Sequence, residues 1–413
     1  MKRTHCTATL PLFLMKIFVS FCFLLLMALP IQAEESPAQE GQPIDSDAEE
    51  IPGSEKAREL RTRGWQFGTY LDLGYTIDFN DPENGLWRSK GTTFRVDDPR
   101  VNMAMGYLQK DATPQSRWGM EFGLQTGVDT DKLVPEPPPK ANEPISNADQ
   151  IRHLARANVS YLFPAGNGLR MTGGLINSFI AYESYYAMAN SNYTRAYITD
   201  NVPYFFFGAE ALYPLNDTLN LSLYAVNGWN YLANPNDHPS FGLQMLWEAT
   251  PQTTFTQNLY YGPDQENTDL DFWRFFSDSI LEWKRDPFLL AVSFDVGTEK
   301  QAEQFGNPRG YWMAGALWAA WQMGGPWTLA IRPEFFYDPD GIITGAVQTL
   351  QAYTATLKYK FSPIASNTLV ANIEYRYDRS TGSGGGFFKG SDNTLVPDQH
   401  LLIFALTWHL GMK

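Results

Sequence analysis

Between Trp65 and Phe79 the sequence alternates between mainly apolar and mainly polar residues almost without a break. Successive residues of a β-strand face opposite sides, so this pattern predicts a strand with one apolar and one polar face. An average globular strand has about 5–6 residues, whereas a tilted strand that crosses a membrane needs about 9–11. The same alternation returns between Thr368 and Asp378 and between Leu402 and Leu410. The period therefore predicts an all-β fold with strands long enough to cross a membrane.

The pattern predicts a transmembrane antiparallel β-barrel of about 16 strands, within a range of about 14–18. The predicted strands cover residues 65–79, 100–109, 117–129, 152–163, 169–177, 203–213, 218–229, 240–249, 253–262, 270–284, 287–297, 310–322, 327–337, 348–361, 368–378 and 399–411. Long links such as 80–99 and 178–202 follow odd strands, and short turns such as 285–286 follow even strands. This order is typical of outer-membrane barrels, which have long extracellular loops and short periplasmic turns.

Composition supports this class and excludes others. Aromatic residues make up 15% and charged residues 18% of the chain, whereas a soluble domain carries about 25% charge. After residue 33 no apolar run reaches about 18 residues, so helical membrane spans are not expected. The net charge of −14 argues against nucleic acid as a partner, because its phosphates would be repelled. Tryptophans near predicted strand ends are candidates for interfacial girdles: Trp65, Trp118, Trp229, Trp283 and Trp327.

The first 33 residues have the layout of a cleavable secretory signal peptide. Lys2 and Arg3 precede an apolar stretch from Ile17 to Leu29, and the small residue Ala33 stands before an acidic start. The apolar stretch is shorter than the roughly 20 residues of a comfortable membrane span. We therefore expect an exported protein of a Gram-negative cell envelope, with an uncleaved N-terminal anchor as the alternative.

Two further expectations result from this division. Both cysteines, Cys6 and Cys22, leave with the signal peptide, so the mature chain is expected to have neither disulfides nor thiolate metal sites. Residues 34–63 are acidic and rich in proline, which predicts a disordered periplasmic segment ending in a short helix. This segment would be a tether, a plug or simply a mobile tail. The barrel itself is expected over residues 64–413.

A barrel of about 16–18 strands encloses an aqueous channel, whereas one of about eight is filled by side chains. The predicted inward faces are polar and contain many glycines, which would leave space for water. The lumen-facing charges are predicted to be Arg156, Glu210, Glu248, Asp295, Arg332, Glu334, Lys358, Glu374 and Arg376. We therefore expect passive diffusion of small hydrophilic solutes. Because the chain is acidic in total, we also expect a weak preference for cations.

The third long link, 178–202, is dense in tyrosine and has few charges. Tyrosines tend to be buried at one end and wet at the other, so this link is expected to fold inward and constrict the lumen. The candidate constriction residues are Tyr182, Glu183, Tyr185, Tyr186, Asn192, Tyr193 and Arg195. An outer cap or a contact between subunits is the alternative.

A family resemblance lies in the same region. The segment from Gly173 to Glu183, with Asn192-Tyr193-Thr194-Arg195 after it, resembles the putative β-barrel porin-2 (OmpL-like) family. The resemblance implies an outer-membrane porin architecture over roughly residues 60–413 and a channel function, without indicating the solute.

Other functions are less well supported by the sequence. A hydrolytic barrel would need a histidine within reach of a nucleophile, and the histidines beyond the signal peptide, His153, His238, His400 and His409, lie in no recognisable motif. No enzymatic activity, cofactor or metal site is therefore expected. An adhesive or plugged barrel whose loops bind a partner remains the alternative. The expected partners are outer-membrane lipids, small solutes and the other subunits of a homotrimer, with the alanine-rich segment 314–320 as the subunit contact.

Overall fold

The computed structural model describes residues 64–133, 152–230, 238–265, 270–301, 309–364 and 367–412. The expected signal peptide, residues 1–33, and the acidic segment with its short helix, residues 34–63, lie outside these ranges. Across the described ranges, no helix is both long enough and apolar enough to serve as a membrane span.

Sixteen strands form one closed antiparallel barrel. The first eight are β1 (Trp65–Asp78), β2 (Arg100–Lys110), β3 (Trp118–Thr126), β4 (Leu154–Phe163), β5 (Leu169–Asn177), β6 (Phe205–Asn216), β7 (Leu219–Val226) and β8 (Ser240–Thr250). The next seven are β9 (Thr253–Pro263), β10 (Trp273–Arg285), β11 (Phe288–Glu299), β12 (Gly310–Gly324), β13 (Trp327–Asp338), β14 (Gln348–Ile364) and β15 (Asn367–Thr381). The barrel closes through β18 (Asp398–Met412), which pairs with β1 on one side and β15 on the other.

The predicted alternation places apolar side chains outside and polar side chains inside the barrel. On β13, Leu329 and Ile331 point outward and are exposed, while the neighbouring Arg332 points inward and is completely buried. On β15, Ile373 and Tyr375 are exposed in the same way, and Glu374 between them is buried. The period-two prediction of the barrel is therefore confirmed.

The links between strands separate the two ends of the barrel. Two-residue turns such as 251–252 and 286–287 lie at one end, the short-turn end, and the longest links lie at the opposite, long-loop end. Three of the long links are loop L1 (79–99), loop L3 (178–204) and loop L8 (382–397). L8 carries a small antiparallel hairpin that the alternation did not predict, formed by β16 (Phe387–Lys389) and β17 (Thr394–Val396).

One strand ends earlier than predicted at a point where a side chain turns into the lumen. The strand predicted over 218–229 ends at Val226, and Trp229 lies in the lumen with its ring centroid 5.2 Å from Tyr260 and 5.0 Å from Phe276. The girdle position predicted for Trp229 is wrong, because the ring packs inside the barrel. Trp327 at the short-turn end is exposed and packs edge-on against Tyr359.

Candidate functional site

Loop L3 lies inside the barrel, where its first residues bond to the wall formed by β8 and β10. The Phe179 carbonyl accepts a hydrogen bond from Gln244 of β8 at 2.9 Å, and the Ala181 amide donates to Asp278 of β10 at 2.9 Å. The Tyr182 hydroxyl donates to Glu282, also on β10, at 2.6 Å. The chain therefore leaves β5 and crosses the lumen directly.

Glu183 is the next anchor of the loop and is buried. Its carboxylate accepts hydrogen bonds from Trp318 of β12 at 2.9 Å and from Arg332 of β13 at 2.7 Å. The same carboxylate accepts the backbone N–H of Ala196 at 2.6 Å and the hydroxyl of Thr199 at 3.0 Å, both within L3. One side chain thus joins two parts of the loop to the barrel wall.

Tyr193 is fully buried and bonds the loop to the strands near the closure of the barrel. Its hydroxyl donates to Asp72 of β1 and accepts from Asn102 of β2, both at 2.7 Å. Its backbone N–H donates to Glu374 of β15 at 2.7 Å. Next to it, Asn192 donates to a threonine hydroxyl of β14 at 2.7 Å. The middle of L3 is therefore bonded to both the first and the last third of the chain.

Arg195 forms a buried ion pair with Asp129, which follows β3, at 2.9 Å. Burial raises the pKa of Asp129 to about 7, although the guanidinium of Arg195 opposes the shift. Tyr185 lies 5.9 Å from the Arg195 guanidinium and packs on Tyr204, while Tyr186 donates to the sulfur of Met105 at 3.0 Å. All seven predicted constriction residues consequently lie in the lumen or against its wall.

The wall opposite the middle of L3 is a network of buried charges. Arg332 is 3.3 Å from Glu334, and Arg376 is 3.0 Å from Glu334 and 2.7 Å from Asp378. All four are buried, and Tyr197 of L3 donates its hydroxyl to Asp378 at 2.9 Å. Because each charge has an opposite partner and L3 covers the network, these groups are neutralised in pairs and shielded from water.

The other predicted lumen charges lie at different positions along the barrel axis, some against L3 and one near the short-turn end. Glu374 accepts hydrogen bonds from two L3 backbone amides, and Lys358 donates to the Asn190 carbonyl of L3. Asp295 is buried and paired in register with Asp278 across β10 and β11. Glu248 is exposed near the turn between β8 and β9.

Loop L1 also enters the lumen, which the sequence patterns do not predict. Trp87 is 2% exposed and donates its indole N–H to Asp378 at 3.1 Å. Lys90 is buried in an ion pair with Asp200 of L3, and Thr92 donates to the same carboxylate at 2.7 Å. Burial lowers the pKa of Lys90, while the charge of Asp200 opposes that change. L1 therefore packs on L3 from the long-loop end.

Aromatic side chains fill the long-loop end beside L3. Phe179 stacks on Phe206 at 5.0 Å and on Tyr224 at 4.0 Å. Phe206, Tyr260 and Phe276 have no exposed surface, and they belong to one continuous packed cluster that also contains L1 and L3 side chains. This half of the lumen is packed like the interior of a soluble protein.

Glycines of the wall make room for the loop. A Cβ added at Gly242 of β8 would lie 2.3 Å from the ring of Phe179, and one at Gly74 of β1 would lie 2.7 Å from the Tyr193 hydroxyl. The sequence pattern predicts that inward glycines leave space for water. At these two positions the space holds an L3 side chain instead.

A polar cavity remains between L3 and the wall from β2 to β10, towards the short-turn end. This cavity, the vestibule, has a volume of about 600 Å³. Amides and hydroxyls contribute much of the lining, together with charged groups that include Lys110, Asp111, Glu121, Arg170, Glu210 and Glu282. Arg170 lies 3.6 Å from Glu210, and Arg156 lies 3.5 Å from Glu121. Unlike the buried network, Arg170 is open to water, with 44% of its side chain exposed.

Within the described ranges no group of three or more His, Cys, Asp or Glu side chains is arranged to hold a metal ion. The residues that sequence reasoning missed lie mainly in L1 and on the wall that L3 covers, such as Trp87, Lys90 and Trp318. The signal for Trp87 and Trp318 would have been a large aromatic residue away from the ends where girdles lie.

Several solved structures have a similar fold and very low sequence identity to this chain. OmpF of Salmonella typhi, in complex with daunomycin, has 11% identity and a TM-score of 0.53, covering 84% of this chain and 99% of that one. OprB of Pseudomonas putida, at high pH, has 9% identity and a TM-score of 0.52, covering 87% and 96%. The outer-membrane channel DcaP of Acinetobacter baumannii has 10% identity and a TM-score of 0.50, covering 84% and 96%.

These likenesses show a shared barrel fold. No curated protein matches the sequence. A family model for the putative β-barrel porin-2, OmpL-like, proteins matches residues 64–410 of the sequence. The match covers all sixteen barrel strands except the last two residues of β18. This chain belongs to the putative β-barrel porin-2 (OmpL-like) family, and it is an outer-membrane porin.

Proposed function

We propose that this porin allows passive diffusion of small hydrophilic solutes, with loop L3 as the constriction. The vestibule, a polar cavity of about 600 Å³ inside a closed barrel, is the observation that carries the proposal. Barrels with 16 or more strands are wide enough for an aqueous channel. By the usual orientation of such barrels, the short-turn end faces the periplasm and the long-loop end the cell exterior. The vestibule is then the periplasmic entrance.

The residues proposed to set the constriction are those that span the lumen from wall to wall. Glu183 reaches β12 and β13, Tyr193 reaches β1 and β2, and Tyr182 reaches β10. Arg195 ties the far side of the loop to the segment after β3. A solute that passes through the barrel must pass this loop, so its shape would set the size limit.

The proposal includes a weak preference for cations. Carboxylates of the vestibule, Glu121, Glu210 and Glu282 among them, outnumber the cations that face water. Lys110 also lines the cavity, but it is buried and its ammonium is engaged by the Trp118 carbonyl and lies 4.0 Å from the Trp118 ring. The nearby arginines balance part of the negative charge, so the preference would be weak.

Planar-bilayer recording under a salt gradient tests both parts. The mature protein should give stable conductance steps. The sign of the reversal potential should show that cations are more permeant than anions. A correctly folded, heat-modifiable barrel that never conducts would contradict the pore. In that case an adhesive or plugged barrel would be the better interpretation.

The constriction is tested by deleting residues 182–196, which removes the segment that crosses the lumen. The deletion should raise single-channel conductance, because the wall behind L3 then becomes part of an open lumen. The control is heat-modifiability of the variant, which shows that the barrel still closes. Unchanged conductance in a folded variant would show that L3 does not set the width.

Export with removal of residues 1–33 is part of the proposal and is tested by the mass of the protein from the outer-membrane fraction. A mature chain beginning at Glu34 is the expected result. A homotrimer likewise stays a prediction, to be checked by the mass of the native protein in detergent.

A further inference from the structure

Loop L1 is held in an unfavourable backbone conformation. Asp81, Ser89, Thr93 and Asp97 have φ angles of +48°, +63°, +49° and +61°. Positive φ is uncommon outside glycine, and for a β-branched residue such as Thr93 it is a true outlier. Conformations of this kind persist only where surrounding contacts hold them. L1 is thus kept in place by its contacts against its own backbone preference.

The contacts that hold L1 on L3 converge on one carboxylate, that of Asp200. Lys90 forms its buried ion pair with Asp200, and Thr92 donates its hydroxyl to the same group at 2.7 Å. The ammonium of Lys90 also donates to the Arg195 carbonyl at 2.5 Å. Gly91 lies between these two side chains, where a Cβ would be 2.8 Å from the Asp200 carbonyl oxygen. L1 therefore fits closely against L3 at residues 90–92.

A second set of contacts holds L1 on the barrel wall. The Thr93 amide donates to Asp129 at 2.7 Å, so the strained residue is fixed by the carboxylate that also pairs with Arg195. Trp87 donates to Asp378 of β15, and Ser89 accepts from Gln348 of β14 at 3.0 Å. L1 covers the long-loop side of L3 over the wall that carries the buried charges.

We propose that loop L1 is a strained lid that closes the extracellular mouth of the pore on L3, with the Lys90–Asp200 ion pair as its latch. The proposal rests on the proposed pore function and adds a resting state to it. In the closed state, among the described residues, L1, L3 and the aromatic cluster fill the half of the lumen opposite the vestibule. When the latch is broken, the backbone strain of L1 favours its release, and the lumen opens.

A redox-controlled variant tests the lid. The Thr92 hydroxyl and the Asp200 carboxylate are in hydrogen-bond contact, so Thr92→Cys with Asp200→Cys should form a disulfide that fixes L1 on L3. Both natural cysteines lie within residues 1–33, so the two new thiols would be the only pair in the mature chain. The oxidised variant should remain closed, because the bridge takes the place of the latch. Reduction breaks the bridge, and since Asp200→Cys has already removed the latch carboxylate, the channel should then open.

Lys90→Met gives an independent test, because it removes the charge and keeps the length of the side chain. Loss of one partner from a buried ion pair should raise the open fraction of single channels by on the order of tenfold or more. Lys389→Met, at an exposed position of the L8 hairpin, is the matched control and should behave as the wild type. The Thr92→Cys single variant controls for the reducing agent and should not respond to it.

The outcomes separate the lid from the pore. Equal conductance of the oxidised and reduced double variant, with Lys90→Met like the wild type, would overturn the lid and leave the pore function standing. Absence of conductance in every folded form, including the reduced double variant, would overturn both. Opening on reduction together with a raised open fraction in Lys90→Met would support the lid.

Discussion

The two halves of the lumen wall are built from the same kinds of residue and behave differently. On the wall from β12 to β15, Arg332, Glu334 and Arg376 are covered by L3 and have no access to water. On the wall from β2 to β10, Arg170 and Glu210 line the vestibule and remain partly exposed. The first half is covered by the docked loop, whereas the second contacts L3 and also lines an aqueous cavity.

The difference shows that an inward polar pattern does not by itself indicate a wetted wall. Charges that face L3 are arranged as a connected network with 2.7–3.3 Å contacts. The vestibule pairs on β3 to β6 are looser, at 3.5 and 3.6 Å. Tight, water-free pairing stabilises a docked loop, whereas loose, exposed pairing leaves charge available to a passing ion.

The largest effect is expected for Arg332→Met on the plugged side. The substitution leaves Glu183 and Glu334 without the guanidinium that lies between them, which costs about 3–5 kcal/mol for a buried pair. The docked state of L3 should weaken accordingly, and hydrogen exchange at the Ala196 and Tyr197 amides should become much faster. Single-channel conductance should rise in the same variant.

Arg170→Met on the vestibule side is the matched control for Arg332→Met. Its ion pair with Glu210 is exposed and worth about 0–1 kcal/mol, so exchange at the L3 amides should not change. If both variants gave the same exchange rates, the two walls would not differ in how firmly they hold L3.

A smaller effect is expected for Gly242→Ala, which tests whether the wall is shaped for the loop. The added methyl group would lie 2.3 Å from the Phe179 ring, which is itself stacked between Phe206 and Tyr224. Overpacking of this kind costs about 1–3 kcal/mol. Exchange at amides of L3 should increase, although less than in Arg332→Met.

Gly173→Ala on β5 is the control for this methyl group. A Cβ at Gly173 would meet no atom within 4 Å, so the same change there should leave L3 protected. Slow exchange in both glycine variants would mean that Phe179 can move aside without loosening the loop.

The smallest effect is expected for Glu210→Gln in the vestibule, measured as the cation-to-anion permeability ratio. A unit charge about 4 Å from an ion in water contributes about 1 kcal/mol, so the ratio should fall by no more than about fivefold. Arg170→Gln should move the reversal potential in the opposite direction. A shift of the same sign in both variants would show that this wall does not sense the charge of the ion.

The barrel could be predicted from sequence because its signal is local. Each strand shows its two faces within about ten residues, and the alternation of short and long links is independent of any contact between distant residues. Tyrosine density in the third long link was enough to predict an inward fold for it, and the structure places Tyr193 and Arg195 in the lumen.

The contacts of the plug could not be predicted because they join residues far apart in the sequence. Glu183 meets Arg332 across 149 positions, and Tyr193 meets Asp72 across 121 positions. The sequence does not show whether an inward glycine such as Gly74 or Gly242 faces water or a packed side chain. L1 has no apolar periodicity, so no repeating pattern indicates that L1 packs in the lumen, and the aromatic residue Trp87 is its one local signal.

The position of Tyr193 has a consequence for the order in which the molecule is assembled. Its side chain bonds to β1 and β2, and its backbone bonds to β15, which is hydrogen-bonded to the last strand. L1 and L8, at opposite ends of the chain, are also joined, since the Glu83 amide donates to the Gly390 carbonyl at 3.1 Å. Contacts at such separation in sequence require the closure of long loops, which is slow. During biogenesis, the lumen would therefore fill only after the first and last strands have met, which leaves the nascent barrel hollow until it is complete.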